Sequence, residues 1–223
     1  MWINRVRASV GFQLYLITDR KLAGGRGLLA TCEAALKAAA ERSSRGAVAI
    51  QLREKDLEAR AMFELACAMR ALCDRWGARL LINDRIDVAM AAGADGVHLA
   101  SDSIGVADAR KLLGASRLIG VSTHSPAEVR AAADGGADFV VFSPVFSPIS
   151  KGSYGPPCGR EGLIAACRAA SLPVFALGGI TPERVAVLAG AGAAGAAAIG
   201  SVIGADDPAR ATELLLDALA NWE

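Results

Sequence analysis

The run Gln51-Leu52-Arg53-Glu54-Lys55 sets an amide, a guanidinium and an ammonium at alternate positions, directly after the apolar segment Ala47-Val48-Ala49-Ile50. In an extended strand alternate side chains share a face, so Gln51, Arg53 and Lys55 are predicted to aim together, away from Leu52 and Glu54. Two fixed cations beside hydrogen-bond donors suit a polyanion such as pyrophosphate. Taken alone, the run reads more readily as a charged loop after a strand. Other groups with chemical sense decide between the two readings: Asn83-Asp84-Arg85, His98 with Ser101-Asp102, Ser122-Thr123-His124, Ser150-Lys151, Gly178-Gly179 and Gly200-Ser201.

What must position these groups is a regular alternation of strands and helices. Strand-like runs fall at Leu14–Thr18, Ala47–Leu52, Arg79–Ile82, Gly96–Leu99, Leu118–Ser122, Phe139–Phe142, Pro173–Leu177 and Ala196–Ile199. Helical patterns lie between and after them, most clearly where Met62, Leu65, Met69, Leu72 and Trp76 recur at steps of three and four. Ser125-Pro126 and Thr181-Pro182 each put a capping hydroxyl before a proline suited to the first helical position. A connector recurs from helix to strand as Ala92-Gly93-Ala94-Asp95-Gly96, Gly135-Gly136-Ala137-Asp138-Phe139 and Ala191-Gly192-Ala193-Ala194-Gly195.

Consecutive strand–helix units in a chain of 223 residues predict an α/β fold of the (β/α)8 TIM-barrel type, one domain over 1–223 with residues 1–11 as a short lead. A doubly wound open sheet is the runner-up, but no GxGxxG follows the first strand, which removes its dinucleotide-binding version. Hydrophobic residues make up 53% of the chain, enough for a large core, and a net charge of +1 offers no field for nucleic acid or an acidic membrane. No apolar stretch of signal-peptide or membrane-spanning character is present, and five cysteines without CxxC spacing argue for reduced thiols in a cytoplasmic protein. Whether copies associate into a homo-oligomer is left open.

In such barrels the active groups sit at the carboxyl ends of strands, where all the groups named above fall. Each has a plain alternative. Asn83-Asp84 could cap the following helix, His98 could be a satisfied core histidine, Gly178-Gly179 a tight turn, and Lys151 a solvated loop lysine. Their concentration at strand ends favours a site. Glycines after strands seven and eight would let a phosphate approach backbone N–H groups. Arg53, Lys55 and Lys151 beside Asp84 and Asp102 make sense if Mg²⁺ bridges the carboxylates to pyrophosphate oxygens.

QLREK, Ile82-Asn83-Asp84, ADGVHL at Ala94–Leu99, GVSTHS at Gly120–Ser125, SPVF at Ser143–Phe146 and ALGGIT at Ala176–Thr181 together resemble the thiamine phosphate synthase superfamily, including its thiazole tautomerase branch. The resemblance runs from Tyr15 to Pro208. It implies an enzyme for small phosphorylated substrates, joining a hydroxymethylpyrimidine diphosphate to a thiazole phosphate with loss of pyrophosphate through a dissociative path. Carried over by position, Gln51, Arg53, Lys55, Asn83, Ser122 and Lys151 would hold the pyrimidine diphosphate. Arg53, Ser122 and Lys151 would serve the chemistry, and Asp84, with Asp102, would ligate Mg²⁺. Gly179, Ile199 and Gly200 would offer amides to the thiazole phosphate, with Ser150 adding a hydroxyl.

The chain departs from the pattern after VHL, where Ala100-Ser101-Asp102-Ser103 replaces a GQxD-like run, and in the phosphate loop, where Pro148-Ile149-Ser150-Lys151 replaces TxTK. The tautomerase branch aromatises a thiazole carboxylate phosphate by proton transfer, a role His124 could fill. A non-catalytic sensor of thiazole or thiamine phosphate is the third reading. Retention of Arg53, Lys55, Asn83 and Asp84 favours the synthase.

Overall fold

Eight short strands close on themselves: β1 (Leu14–Ile17), β2 (Val48–Leu52), β3 (Arg79–Asn83), β4 (Gly96–Leu99), β5 (Leu118–Thr123), β6 (Phe139–Phe142), β7 (Val174–Ala176) and β8 (Gly195–Ala198). Every neighbour is parallel, and β8 returns to pair with β1. This computed structural model describes residues 10–42, 47–147, 155–220 and 222. The lead expected over 1–11 therefore lies outside the described residues except for Val10 and Gly11.

Helices cover the outside: α1 (Arg20–Ala23), α2 (Leu28–Glu41), α3 (Ala59–Trp76), α4 (Ile86–Ala91) and α5 (Val106–Leu113). They continue as α6 (Pro126–Asp134), α7 (Gly159–Ala169), α8 (Pro182–Val187), α9 (Gly200–Ile203) and α10 (Pro208–Ala220). Among the described residues none is long and apolar enough to cross a membrane. The predicted caps form: Ser125 Oγ accepts from Glu128 N and Thr181 Oγ1 from Arg184 N.

The period-two rule sorts the strand side chains into two cores. Leu14, Leu16, Ile50, Leu80, Ile82, Val97 and Ile119 face outward against the helices, where Met62, Ala66, Met69 and Leu72 of α3 meet the same layer. Tyr15, Ile17, Ala49, Leu81, Phe139, Val141, Phe175 and Ala197 face inward. Phe12, just ahead of β1, joins them with its ring 5.0 Å from Phe175 and 5.4 Å from Phe139, so aromatic rings fill the amino-terminal half of the barrel. Each such fully buried side chain stabilises the fold by about 1.5–3 kcal/mol.

The recurring connector does one backbone job in all three copies. Asp95 N, Asp138 N and Ala194 N donate to Leu80 O, Ile119 O and Val174 O, starting each new strand against the one before. In the first two copies the carboxylate adds a bond, Asp95 Oδ2 accepting from Leu80 N at 2.8 Å and Asp138 Oδ2 from Ile119 N at 2.7 Å. The expected eighth strand is shifted by one residue: it runs from Gly195 to Ala198, and Ile199 stands at the N-cap position of the short helix α9.

Candidate active site

Above the aromatic plug the inward positions turn polar. Register pairs Ile17 with Gln51, Asn83 with His98, and His98 with Gly120. Gln51 and His98 are 1% and 2% exposed, and both are bonded. Gln51 Nε2 lies 3.3 Å from Tyr15 Oη, Tyr15 Oη 3.4 Å from His98 Nδ1, and His98 Nε2 3.0 Å from Ser122 Oγ. Burial pushes the His98 imidazole down to about 3, with nearby Asp84 opposing and Arg53 assisting. His98 is thus a neutral, satisfied histidine of the barrel interior, and it connects Gln51 to Ser122.

The QLREK run divides at the end of β2. Gln51 and Leu52 alternate as expected, inward and outward. Beyond Leu52 the strand stops, Arg53 is half-buried, and Lys55 stands exposed on a turn, so alternation no longer governs where it points. Glu54, assigned no chemistry by its spacing, is 6% exposed. It accepts from Thr18 Oγ1 at 2.7 Å, from Arg20 N at 3.1 Å and from Arg20 Nη1 at 3.2 Å. Thr18 Oγ1 in turn accepts from Arg53 N at 2.9 Å. A buried carboxylate on the helix side of β2 therefore ties the β1 loop to the backbone of Arg53.

Asp84 does not cap α4, whose preceding residue is Arg85 and which has no side-chain cap. Its backbone takes φ 57°, a left-handed conformation that costs a non-glycine residue of order 1–3 kcal/mol. Asp84 N donates to His98 O at 2.9 Å, and Asn83 Nδ2 donates to Asp84 Oδ2 at 2.7 Å. Asp84 Oδ1 accepts from Ala100 N at 3.2 Å and from the Ser103 hydroxyl. Asp102 is exposed on the adjoining turn, and the side chain brought onto Asp84 is Ser103. Carboxylate and hydroxyl oxygens are the donors hard cations take, but both Asp84 oxygens here accept from protein N–H or O–H groups. No group of three or more His, Cys, Asp or Glu that could hold a metal exists among the described residues, so a cation here would need a ligand's own oxygens.

The opposite rim is built from the loops after β6, β7 and β8. Gly178 and Gly179 have φ of 107° and 58°. Their missing side chains make room for protein rather than ligand: a Cβ on Gly178 would stand 2.9 Å from Pro144 Cα, and one on Gly179 2.3 Å from Arg184 Nη1 and 2.5 Å from Ser147 O. The room these two glycines free is thus taken up by the β6 loop and the Arg184 guanidinium. Gly200, at the start of α9, has only Leu22 Cδ1 at 4.0 Å, and Ile199 is half-buried beside it. Arg184 Nη1 donates to Gly179 O at 2.7 Å and Ser147 O at 3.4 Å, with the guanidinium 5.2 Å from the centre of the Phe146 ring. Ser150 and Lys151 lie outside the described residues.

His124 follows β5 on the surface, oriented by the α6 cap. Its N–H donates to Glu128 Oε2 at 2.9 Å, and Glu128 Oε1 also accepts from Ser125 Oγ. Ring nitrogen Nδ1 lies 2.8 Å from Ser143 O, next to the cis Ser143–Pro144 peptide. A carbonyl can only accept, so Nδ1 carries a proton and a neutral ring presents Nε2 as its base. Tyr15, Glu54 and Arg184 were not singled out by residue type and spacing, because each acts through a partner on another element.

The polar residues gathered at the carboxyl ends of the strands make this chain a (β/α)8 barrel with its candidate site at the carboxyl-terminal mouth, as in enzymes of that fold. Residues 14–202 match the family described as thiamine monophosphate synthase. A Geobacter sulfurreducens protein is 52% identical over 94% of this chain and 95% of its own. The thiamine-phosphate synthase of Roseiflexus castenholzii is 44% identical over 93% of this chain and 88% of its own. The solved thiamine phosphate pyrophosphorylase of Pyrococcus furiosus superposes with a TM-score of 0.82 at 32% identity, covering 94% and 96% of the two chains. The chain belongs to the thiamine monophosphate synthase family.

Proposed function

We propose that this protein is a thiamine-phosphate synthase, a transferase that joins hydroxymethylpyrimidine diphosphate to thiazole phosphate and releases pyrophosphate. The observation that carries the reading is the placing, on the neighbouring ends of β2 and β3, of a cation-and-amide corner (Gln51, Arg53, Lys55) beside a constrained carboxylate corner (Asn83, Asp84), in a chain of this family. Departure of pyrophosphate concentrates negative charge on its oxygens, and Arg53 and Lys55 offer that charge fixed partners. Gln51 and Ser122 hold the pyrimidine, and the rim at Gly179, Ile199 and Gly200 holds the thiazole phosphate in line with it.

Asp84, with its oxygen-donor neighbours, would hold Mg²⁺, which takes one or two carboxylates and completes its shell with phosphate oxygens and water. When bound, the ion would neutralise pyrophosphate charge. Asp102, or Ser103 on the Asp84 carboxylate, would be the second group on that side. Lys151 and Ser150 join the diphosphate and thiazole ends of the site in this reading. The five cysteines are free thiols rather than disulfides, which fits a cytoplasmic location.

The test is incubation with both substrates and Mg²⁺, following thiamine phosphate by mass spectrometry. Lys55→Ala and Asp84→Ala are expected to lower kcat/KM by about 10²–10³ each, as loss of one fixed charge-stabilising group does. Near-normal turnover in both variants would overturn the assignment of these residues. A second reading, thiazole tautomerase, draws on one observation: the Ser143 carbonyl commits His124 Nδ1 and leaves Nε2 to take a proton. Aromatisation of a thiazole carboxylate phosphate, lost in His124→Gln, with no thiamine phosphate from the synthase substrates, would establish that reading instead.

A further inference from the structure

We infer that the buried chain Gln51–Tyr15–His98–Ser122 is polarised in one direction, so that Ser122 presents its hydroxyl proton to the substrate and His98 is the positioning residue that fixes it. The inference rests on the synthase reading only for the identity of that substrate. Its basis is a count of donors and acceptors. Tyr15 Oη accepts from Gln51 Nε2 at 3.3 Å, and its one proton is left for His98 Nδ1, 3.4 Å away. A neutral imidazole that accepts at Nδ1 carries its proton at Nε2, which faces Ser122 Oγ at 3.0 Å. Ser122 has then accepted a bond inside the barrel and has its proton free for the half-buried side, toward the mouth.

Two features hold the ring to this task. His98 is 2% exposed and its hydrogen-bonding neighbours are hydroxyls, a setting in which a charged imidazolium without a bonded counter-ion is costly. Its place depends on Gly120 across the strand pair, because a Cβ there would stand 2.8 Å from His98 Nδ1 and 2.3 Å from Phe139 Cζ. The substrate atom on Ser122 must then be an acceptor, such as a ring nitrogen without hydrogen or a diphosphate oxygen. Gln51 Oε1, which the relay does not use, is the acceptor for a donor such as an exocyclic amine. The relay thus reads an aminopyrimidine diphosphate by its pattern of acceptors and donors.

The decisive experiment is ¹⁵N NMR of histidine-labelled, substrate-free protein. The chain has two histidines, so a His124→Gln variant leaves only the His98 signals. The neutral Nε2–H tautomer is the expected result; the Nδ1–H tautomer or an imidazolium at neutral pH would overturn the proposal. Tyr15→Phe keeps the ring and deletes the proton given to Nδ1. It is expected to lower kcat/KM for the pyrimidine diphosphate about tenfold, with KM for thiazole phosphate unchanged. A folded Tyr15→Phe enzyme with unaltered kinetics would also overturn the relay, since packing alone is preserved. Absence of turnover in the wild type would sink the functional reading and the substrate part of this one, while the tautomer would still decide the direction of the chain.

Discussion

Glu54 shows how a single residue inside a ligand-like motif can serve the fold. Its carboxylate takes bonds from Thr18, the Arg20 backbone and the Arg20 guanidinium, and Arg20 is held from its other side by Asp56. The neighbouring Arg53 amide bonds back to Thr18, so Glu54 sets where the Arg53 side chain starts. Glu54→Gln keeps the size and removes one acceptor oxygen and the charge. It is expected to cost about 1–3 kcal/mol in urea unfolding, the range for leaving buried partners unsatisfied. The displaced Arg53 should raise KM for the pyrimidine diphosphate and leave KM for thiazole phosphate alone; equal rises in both would mean a general loosening of the mouth.

At the scale of elements, the mouth is held by loops that brace one another. The β7 loop fits under the β6 loop because Gly178 and Gly179 lack side chains, and Arg184 on α8 then bonds the carbonyls of both loops. The Thr181 cap and the proline that follows start α8 where Arg184 reaches back, so a local signal positions a long-range brace. Arg184→Met retains contact with Phe146 and removes the bonds to Gly179 O and Ser147 O. An increase of about tenfold in KM for thiazole phosphate with kcat within about twofold is the expected steady-state result, from loss of roughly one charge-assisted bond. A fall in kcat with KM unchanged would instead assign Arg184 to the reacting centre.

The whole molecule separates stability from chemistry along the barrel axis. At the amino-terminal end Phe12, Tyr15, Phe139 and Phe175 fill the interior, and ion pairs ring the strand starts: Arg70 and Arg79 on Asp95, Arg110 on Asp138. Burial alone would raise the Asp95 carboxyl, but the Leu80 N–H, Arg79 and Arg70 outweigh it and hold it below its usual range. A carboxylate depressed in the folded state contributes stability above its unfolded value, about 3.9, and that contribution is lost as pH falls through the lower folded value. Asp95→Asn should therefore lower Tm clearly at pH 7, with the difference from wild type shrinking below about pH 4. Both KM values at neutral pH should stay as in wild type, because the pair lies at the other end of the barrel from the mouth. A Tm difference independent of pH would show that the lost bonds, not the charge, carry the effect.

The order of the strands and of the helices that follow them (short α1 and α9 excepted), the strand-end position of the described candidate groups, the helix caps and the strand-starting connectors were legible in the sequence. Each is a local property: a repeat of two or about 3.6 residues, a hydroxyl before a proline, a glycine after a helix. Tertiary structure decided the rest. Tyr15 meets a histidine 83 positions away, Thr18 meets Glu54 36 positions away, and Ser103 reaches Asp84 across 19. Closure of the barrel sets those distances, because parallel neighbours come together only after a crossover helix. So residue types announced a site for phosphorylated ligands, while the direction of its hydrogen bonds and the identity of its braces arose only when eight separate strand ends shared one mouth.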